Sequence, residues 1–262
     1  MKTLRLETLP HGVKRLVLSR PAVRNAFDET MIGELKEALD SLAAIPEPET
    51  VRLLLLAGDG PIFSAGADLN YMKRLAASGE SESLADARRL GQLFHALAAF
   101  PTPVICAVRG AAIGGGLGLA VCADYVLAEE NATFATTEVR LGIVPAVISP
   151  YIVRKIGLAA ASPLLLSGRR IKASEARDLG LVQQVAQGEK FDSVLEDVVL
   201  EFLFAGPEAA RRTKQLLIQA APLPTPDHAE FTAQSISQAR RSEEGQTGLA
   251  SFFDKKAPPW VR

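Results

Sequence analysis

Two stretches of this chain share one local design. VRLLLLA at 51–57 leads into Phe63-Ser64-Ala65-Gly66-Ala67-Asp68-Leu69, and VICAVRG at 104–110 leads into Ile113-Gly114-Gly115-Gly116-Leu117-Gly118. Each is an almost continuous apolar run, then a set of small residues, then a helical pattern. An apolar run without alternation fits a strand covered on both faces, as in a parallel sheet. YVLAEE at 125–130 reads as a third such strand. Upstream, TLRLETL and KRLVLS flank Pro10-His11-Gly12 and read as two short strands, and RPAVRNAF reads as a loop. Met31, Leu35, Leu39 and Leu42 recur at helical spacing and predict a helix over 29–44, with Asp28 as its N-cap. Leu90, Leu93, Phe94 and Leu97 predict another over 86–99. This alternation makes residues 1–190 an α/β unit with mostly parallel pairing. From 191 to 262 strand signals fade, and FDSVLEDVVLEFLFA, PEAARRTKQLLIQA and the stretch from His228 to Lys256 are helical in pattern, which predicts a C-terminal helical region.

The strand–glycine–helix design carries a chemical implication. Small residues let backbone approach a ligand, and the first N–H groups of a helix have no intrahelical partner and sit at the positive end of its dipole. Two such loops side by side can aim two N–H donors at one oxygen, an oxyanion hole in which each donor contributes about 2.7–4 kcal/mol to the transition state. The same glycines could serve close helix–sheet packing alone. A dinucleotide loop fails on spacing: counted from Gly114 the third glycine of GxGxxG falls on Leu119, and counted from Gly116 on Val121. Neither GxxxxGK[ST] nor GxSxG occurs, which speaks against a P-loop and a serine-hydrolase elbow.

Charge and cysteine content narrow the class. The formal net charge is −1 over 262 residues, so nothing general favours nucleic acid or an anionic membrane. The two cysteines, Cys106 and Cys122, sit in apolar runs as expected of buried thiols, and the three histidines are scattered, with no metal-ligand spacing. No apolar stretch reaches the roughly 18 residues of a membrane span, and the N-terminus lacks a signal-peptide core. The expectation is a cytoplasmic protein without metal or dissociable cofactor.

FSAGADL, GAAIGGGLGLAVCAD and FATTEVRLGIVPA, with RPAVRNAF, SGRRIKASEARDLGLV and FFDKK, resemble the crotonase (enoyl-CoA hydratase/isomerase) superfamily in order and spacing along nearly the whole chain. The resemblance implies an α/β, crotonase-like spiral of ββα units followed by a helical trimerisation region, with trimers often paired as hexamers. It implies an acyl-CoA substrate, coenzyme A being part of that substrate. By motif position the oxyanion donors are the N–H groups of Ala67 and Gly115, and the acid/base is Glu138. Ala65, Gly66, Asp68, Leu69, Gly114 and Gly118 would contact substrate or CoA. Arg24 would approach the CoA phosphates, and Phe252 and Lys255 would reach the CoA of a neighbouring subunit.

Hydratases of this family carry two glutamates. One falls at Glu138; the other position is Gly118 here. The glycine is expected to open space beside the thioester and to remove a negative charge. With PAVISP at 145–150, it resembles the branch that hydrates branched glutaconyl-CoA thioesters, such as 3-methylglutaconyl-CoA in leucine breakdown or isohexenylglutaconyl-CoA in terpene breakdown. The alternative is a Δ3,Δ2-enoyl-CoA isomerase using Glu138 alone. The apolar residues after Glu138 predict a carboxyl titrating above about 4.3, suited to proton transfer. Tyr71 and Met72 could line the acyl pocket or merely pack. An RNA-binding role and a non-catalytic CoA-binding subunit are further alternatives.

Overall fold

The computed structural model describes residues 1–45, 51–219, 243, 244, 247, 251, 254 and 256–259. Strands β1 (Leu4–Leu9) and β2 (Val13–Leu18) form an antiparallel hairpin turned through His11 and Gly12, both at positive φ. Helix α1 (Glu29–Ala43) starts where Asp28 accepts the Met31 N–H at 2.9 Å, the cap its sequence suggests. Then come β3 (Leu53–Gly58), α2 (Leu69–Ala76), α3 (Glu80–Ala98), β4 (Val104–Val108), β5 (Ala111–Ile113), α4 (Gly115–Cys122), β6 (Tyr125–Glu129) and β7 (Thr133–Ala135). A 3-10 turn (Glu138–Leu141), α5 (Ser149–Ser167), β8 (Ile171–Lys172), α6 (Ala173–Asp178), β9 (Gln184–Ala186), α7 (Phe191–Leu203) and α8 (Pro207–Gln219) complete the described elements.

The main sheet has the order β1-β2-β3-β4-β6-β9, parallel throughout except for the β1/β2 hairpin. A small second sheet runs β5-β7-β8. The unalternating apolar runs are central strands, as expected. Leu54 and Leu56 of β3, with Val104, Cys106 and Val108 of β4, face the core that holds α1, α3, α4 and α5. Their neighbours Leu53, Leu55, Ala57, Ile105 and Ala107 face the opposite side. That side is covered by Phe191, Leu195, Val198 and Leu203 of α7. Helix α7 thus closes the sheet, and packing runs straight across the expected division at 190/191. Helix α8 is tied back by Lys214, whose Nζ donates to Thr102 O at 3.0 Å and to Asp124 at 2.7 Å.

Helix α3 begins earlier than its apolar spacing suggests, and β5, β7, β8 and β9 left no sequence signal. Strands of two or three residues are too short to show a period. The thiols of Cys106 and Cys122 are buried and free, and burial raises both, Cys122 to about 12. Of the Arg-Arg pairs, Arg89, Arg169 and Arg212 form ion pairs with Asp86, Glu175 and Glu208. Among the described residues, no group of side chains could hold a metal ion and no helix is long and apolar enough to cross a membrane.

Candidate active site

The loop after β3 is held from both sides. Buried Asn25, in the left-handed region at φ 52, donates to Asp59 O and Ile62 O at 2.8 Å each and accepts from Arg20 N. Ser64 pairs with β5: its N–H goes to Ala111 O, and its carbonyl takes Ile113 N, both at 3.0 Å. On the other side Phe27 N donates to Gly66 O, and Asp68 N to Phe27 O, at 2.7 Å. Residues 64–67 therefore form an extra extended segment between Phe27 and β5. Gly66 takes φ +93, and a Cβ there would lie 2.9 Å from Ile113 O. Gly114 caps α4 at φ 51, ψ −120, a conformation essentially confined to glycine. A Cβ on Gly114 would come within 4.0 Å of Gly66 Cα, so the two glycines abut. The next residue in each loop is Ala67 or Gly115. Among the described residues neither of their N–H groups has a hydrogen-bond partner.

Glu138 opens the 3-10 turn after β7 and is brought against this junction. Its Oε1 lies 3.1 Å from where a Gly114 Cβ would be. Its Oε2 is buried without a hydrogen-bond partner. Burial raises the carboxyl above the ordinary glutamate range, and its own backbone N–H offsets part of this. A carboxylate so placed can exchange a proton with a ligand held by the neighbouring amides.

These groups share a cavity of about 380 Å³. Of the residues expected at the site, Ala65, Gly66, Ala67, Leu69, Gly114, Gly115 and Glu138 line it, as do Tyr71 and Met72. Arg24 does not: its side chain is exposed, and its carbonyl accepts Ala65 N at 3.0 Å. Asp68 does not either. It caps α2 by accepting from Asn70 N (2.9 Å) and Tyr71 N (3.3 Å), and it pairs with Arg20. Burial alone would raise its carboxyl, but these two N–H groups and Arg20 together bring it below the usual range. Phe252 and Lys255 lie outside the described residues.

Gly118 requires a correction. The space expected beside the thioester is filled, because a Cβ there would meet Ile148 Cγ2 at 2.5 Å and the Phe94 ring at 2.8 Å. The missing side chain is replaced by core packing, and Gly118 does not line the cavity. Likewise Gly116 is pressed against Ser64, its would-be Cβ 2.7 Å from the Ser64 Cβ.

Three features escaped the sequence. Phe27 lies beneath Gly115, 2.8 Å from its would-be Cβ. Arg20 joins the N-caps of two helices, meeting Asp28 at 3.0 Å and Asp68 at 3.2 Å while donating to Ala26 O. Asp86, buried on α3, lines the cavity and accepts the Tyr71 hydroxyl at 2.5 Å. An aspartate early in an amphipathic helix gives no hint in sequence of facing a cavity. The remaining wall is apolar and comes from Leu90, Leu141, Ile143, Val144, Val147 and Ile148.

Known proteins share this fold. A family model described as "Enoyl-CoA hydratase/isomerase" matches residues 8–262. The 2,3-dehydroadipyl-CoA hydratase of Escherichia coli is 35% identical over 254 residues, covering 93% of this chain and 92% of that protein. A crystal structure of an enoyl-CoA hydratase from Shewanella pealeana superposes with a TM-score of 0.92 at 38% identity, covering 98% of this chain and 96% of the other. AtuE of Pseudomonas aeruginosa gives 0.94 at 34% identity, covering 99% and 100%.

Proposed function

Because this chain belongs to the enoyl-CoA hydratase/isomerase family, we propose that it adds or removes water across the 2,3 double bond of an acyl-CoA thioester. The Ala67 and Gly115 N–H groups would hold the enolate oxygen, and Glu138 would move the proton. Water attacks C3, and the π electrons pass to the thioester oxygen. The two N–H donors stabilise that charge. Glu138 takes the proton released by the water and returns it to C2. Hydroxyl ends on C3, hydrogen on C2, and the carboxylate is regenerated. The observation that carries this is the buried Glu138 carboxyl, its Oε2 partnerless and its Oε1 held against Gly114, next to the free Gly115 N–H.

A second reading, Δ3,Δ2-enoyl-CoA isomerisation, is favoured by the absence of a carboxylate at 118: one base shuttles a proton from C2 to C4. Mass spectrometry separates the two. Hydration of a trans-2-enoyl-CoA adds the mass of one water, whereas isomerisation of a 3-enoyl-CoA leaves the mass unchanged. If neither substrate is turned over, or if Glu138→Gln retains full activity, the proposal is wrong.

A branched glutaconyl-CoA such as 3-methylglutaconyl-CoA remains a candidate substrate. The name of the E. coli relative denotes a dicarboxylic acyl chain, which supports it. Two structural facts weigh against it. The room expected at Gly118 is occupied, and Asp86 places a carboxylate in the cavity wall. An uncharged acyl chain fits this wall better. The exposed Arg24 side chain stays the proposed contact for the CoA phosphates. Assembly into trimers or paired trimers, with Phe252 and Lys255 reaching a neighbour's CoA, is also proposed. The exposed apolar side chains of Leu158, Leu166, Phe204 and Leu217 are compatible with such contacts.

A further inference from the structure

The cavity wall holds one buried polar pair that the proton transfer does not use. Tyr71 on α2 donates its hydroxyl to Asp86 Oδ2 at 2.5 Å, and Arg89 Nη2 donates to Asp86 Oδ1 at 2.9 Å. Tyr71 is 5% exposed and so is Asp86, and both line the cavity. Burial, then the hydrogen bond to Asp86, raises the Tyr71 phenol, so it remains a neutral donor to the carboxylate. The tyrosine proton is committed to Asp86. What remains on both side chains is lone pairs: the second site of each carboxylate oxygen and those of the phenol oxygen.

The helices set where this pair stands. Strands β3, β4 and β6 are parallel, so α3 and α4, which each return the chain to the start of the next strand, run in the same sense. Phe94 of α3 lies beside Gly118 of α4. Asp86 precedes Phe94 by eight residues, about 12 Å of helix axis, whereas Gly115 precedes Gly118 by about 4.5 Å. Asp86 thus stands roughly 7 Å beyond the level of the Gly115 amide. On the enoyl-CoA reading above, a group that far from the oxyanion amides meets the acyl chain rather than the reacting carbons.

We propose that Asp86 and Tyr71 form an acceptor-only subsite that selects acyl chains carrying a hydrogen-bond donor, such as a hydroxyl, near their distal end and rejects a distal carboxylate. This rests on the enoyl-CoA reading of the site above. A donor reaching the pair fills lone pairs that an apolar chain leaves empty. A carboxylate brings no proton to share, and its oxygens would face only acceptor lone pairs on Asp86 and Tyr71.

Three six-carbon trans-2-enoyl-CoA substrates, ending in a methyl, a hydroxyl or a carboxylate, test it. The wild type should show kcat/KM for the hydroxyl chain at least about tenfold above that for the carboxylate chain. Asp86→Asn turns N–H donors toward the ligand. It should close that gap by about tenfold, chiefly through KM. Tyr71→Phe should lower preference for the hydroxyl chain without helping the carboxylate. Equal or better wild-type turnover of the carboxylate chain overturns the proposal. So does an equal change on all three substrates in both variants, which is what a mere structural tie between α2 and α3 would give. If the wild type hydrates none of the three, the hydration reading of the site fails and this subsite falls with it.

Discussion

Replacing Gly118 by alanine separates a packed core from an open substrate pocket by the sign of a stability change. In a helix, alanine is favoured over glycine by about 1 kcal/mol, so an alanine entering empty space stabilises the fold. At Gly118 the added carbon would stand 2.5 Å from Ile148 Cγ2 and 2.8 Å from two atoms of the Phe94 ring. Phe94 is 0% exposed and Ile148 3%, so neither has anywhere to go. Overpacking of this kind costs about 1–3 kcal/mol. The net expectation is a loss of up to about 2 kcal/mol, a fall of a few degrees in Tm for a chain of this size. Gly33, on the exposed side of α1, is the control: nothing lies within 4 Å of its would-be Cβ. Gly33→Ala should raise Tm by about 2–4 °C. Both variants are melted beside the wild type at one fixed protomer concentration, because association would otherwise shift the midpoint. A Gly118→Ala protein as stabilised as Gly33→Ala would mean that room exists at 118 after all, and the packing account of the missing glutamate would be wrong.

Glu138→Gln should lower kcat about 10²–10⁴-fold with little change in KM, measured on any accepted enoyl-CoA. In the wild type the acid limb of kcat/KM should have its midpoint above the ordinary glutamate value, because burial raises this carboxyl. Its folded-state affinity for the proton exceeds its unfolded one, so stability is lost as pH rises from about 4.3 through the raised value. Glu138→Gln should therefore raise Tm at pH 8 and leave it nearly unchanged at pH 4; equal shifts at both would contradict the burial argument. Gly114→Ala should reduce kcat at least about a hundredfold, since it strains φ 51 and drives a methyl to 3.1 Å from Glu138 Oε1. Arg20→Lys keeps the charge but cannot reach Asp28, Asp68 and Ala26 O together. It should cut kcat/KM by about tenfold, with circular dichroism unchanged, by loosening the Ala67 loop; full activity would show that the clamp is dispensable.

Much of this molecule is written locally. The stretches at 53–57 and 104–108 became two-faced central strands because every residue in them is apolar, and a strand with no polar face must be covered twice. The glycines at 66 and 114 marked positive φ and close backbone approach, and the Asp28 cap and the carboxyl of Glu138 could be read beside their motifs. Other features depend on what lies opposite a residue, which no window of neighbouring residues records. Gly118 has the same composition around it whether it faces substrate or a phenylalanine; only the arrival of Phe94 and Ile148 from α3 and the start of α5 decided for packing. Asp86 is an ordinary helical aspartate until Tyr71 of another helix donates to it in the cavity wall. The division after residue 190, plausible from the fading of strand signals, ignored that the sheet's second face needed α7. Periodicity and glycine are properties of the chain near itself, so the sequence alone carried them, while the filling of a cavity wall is settled between segments far apart along the chain and exists only once they have folded together.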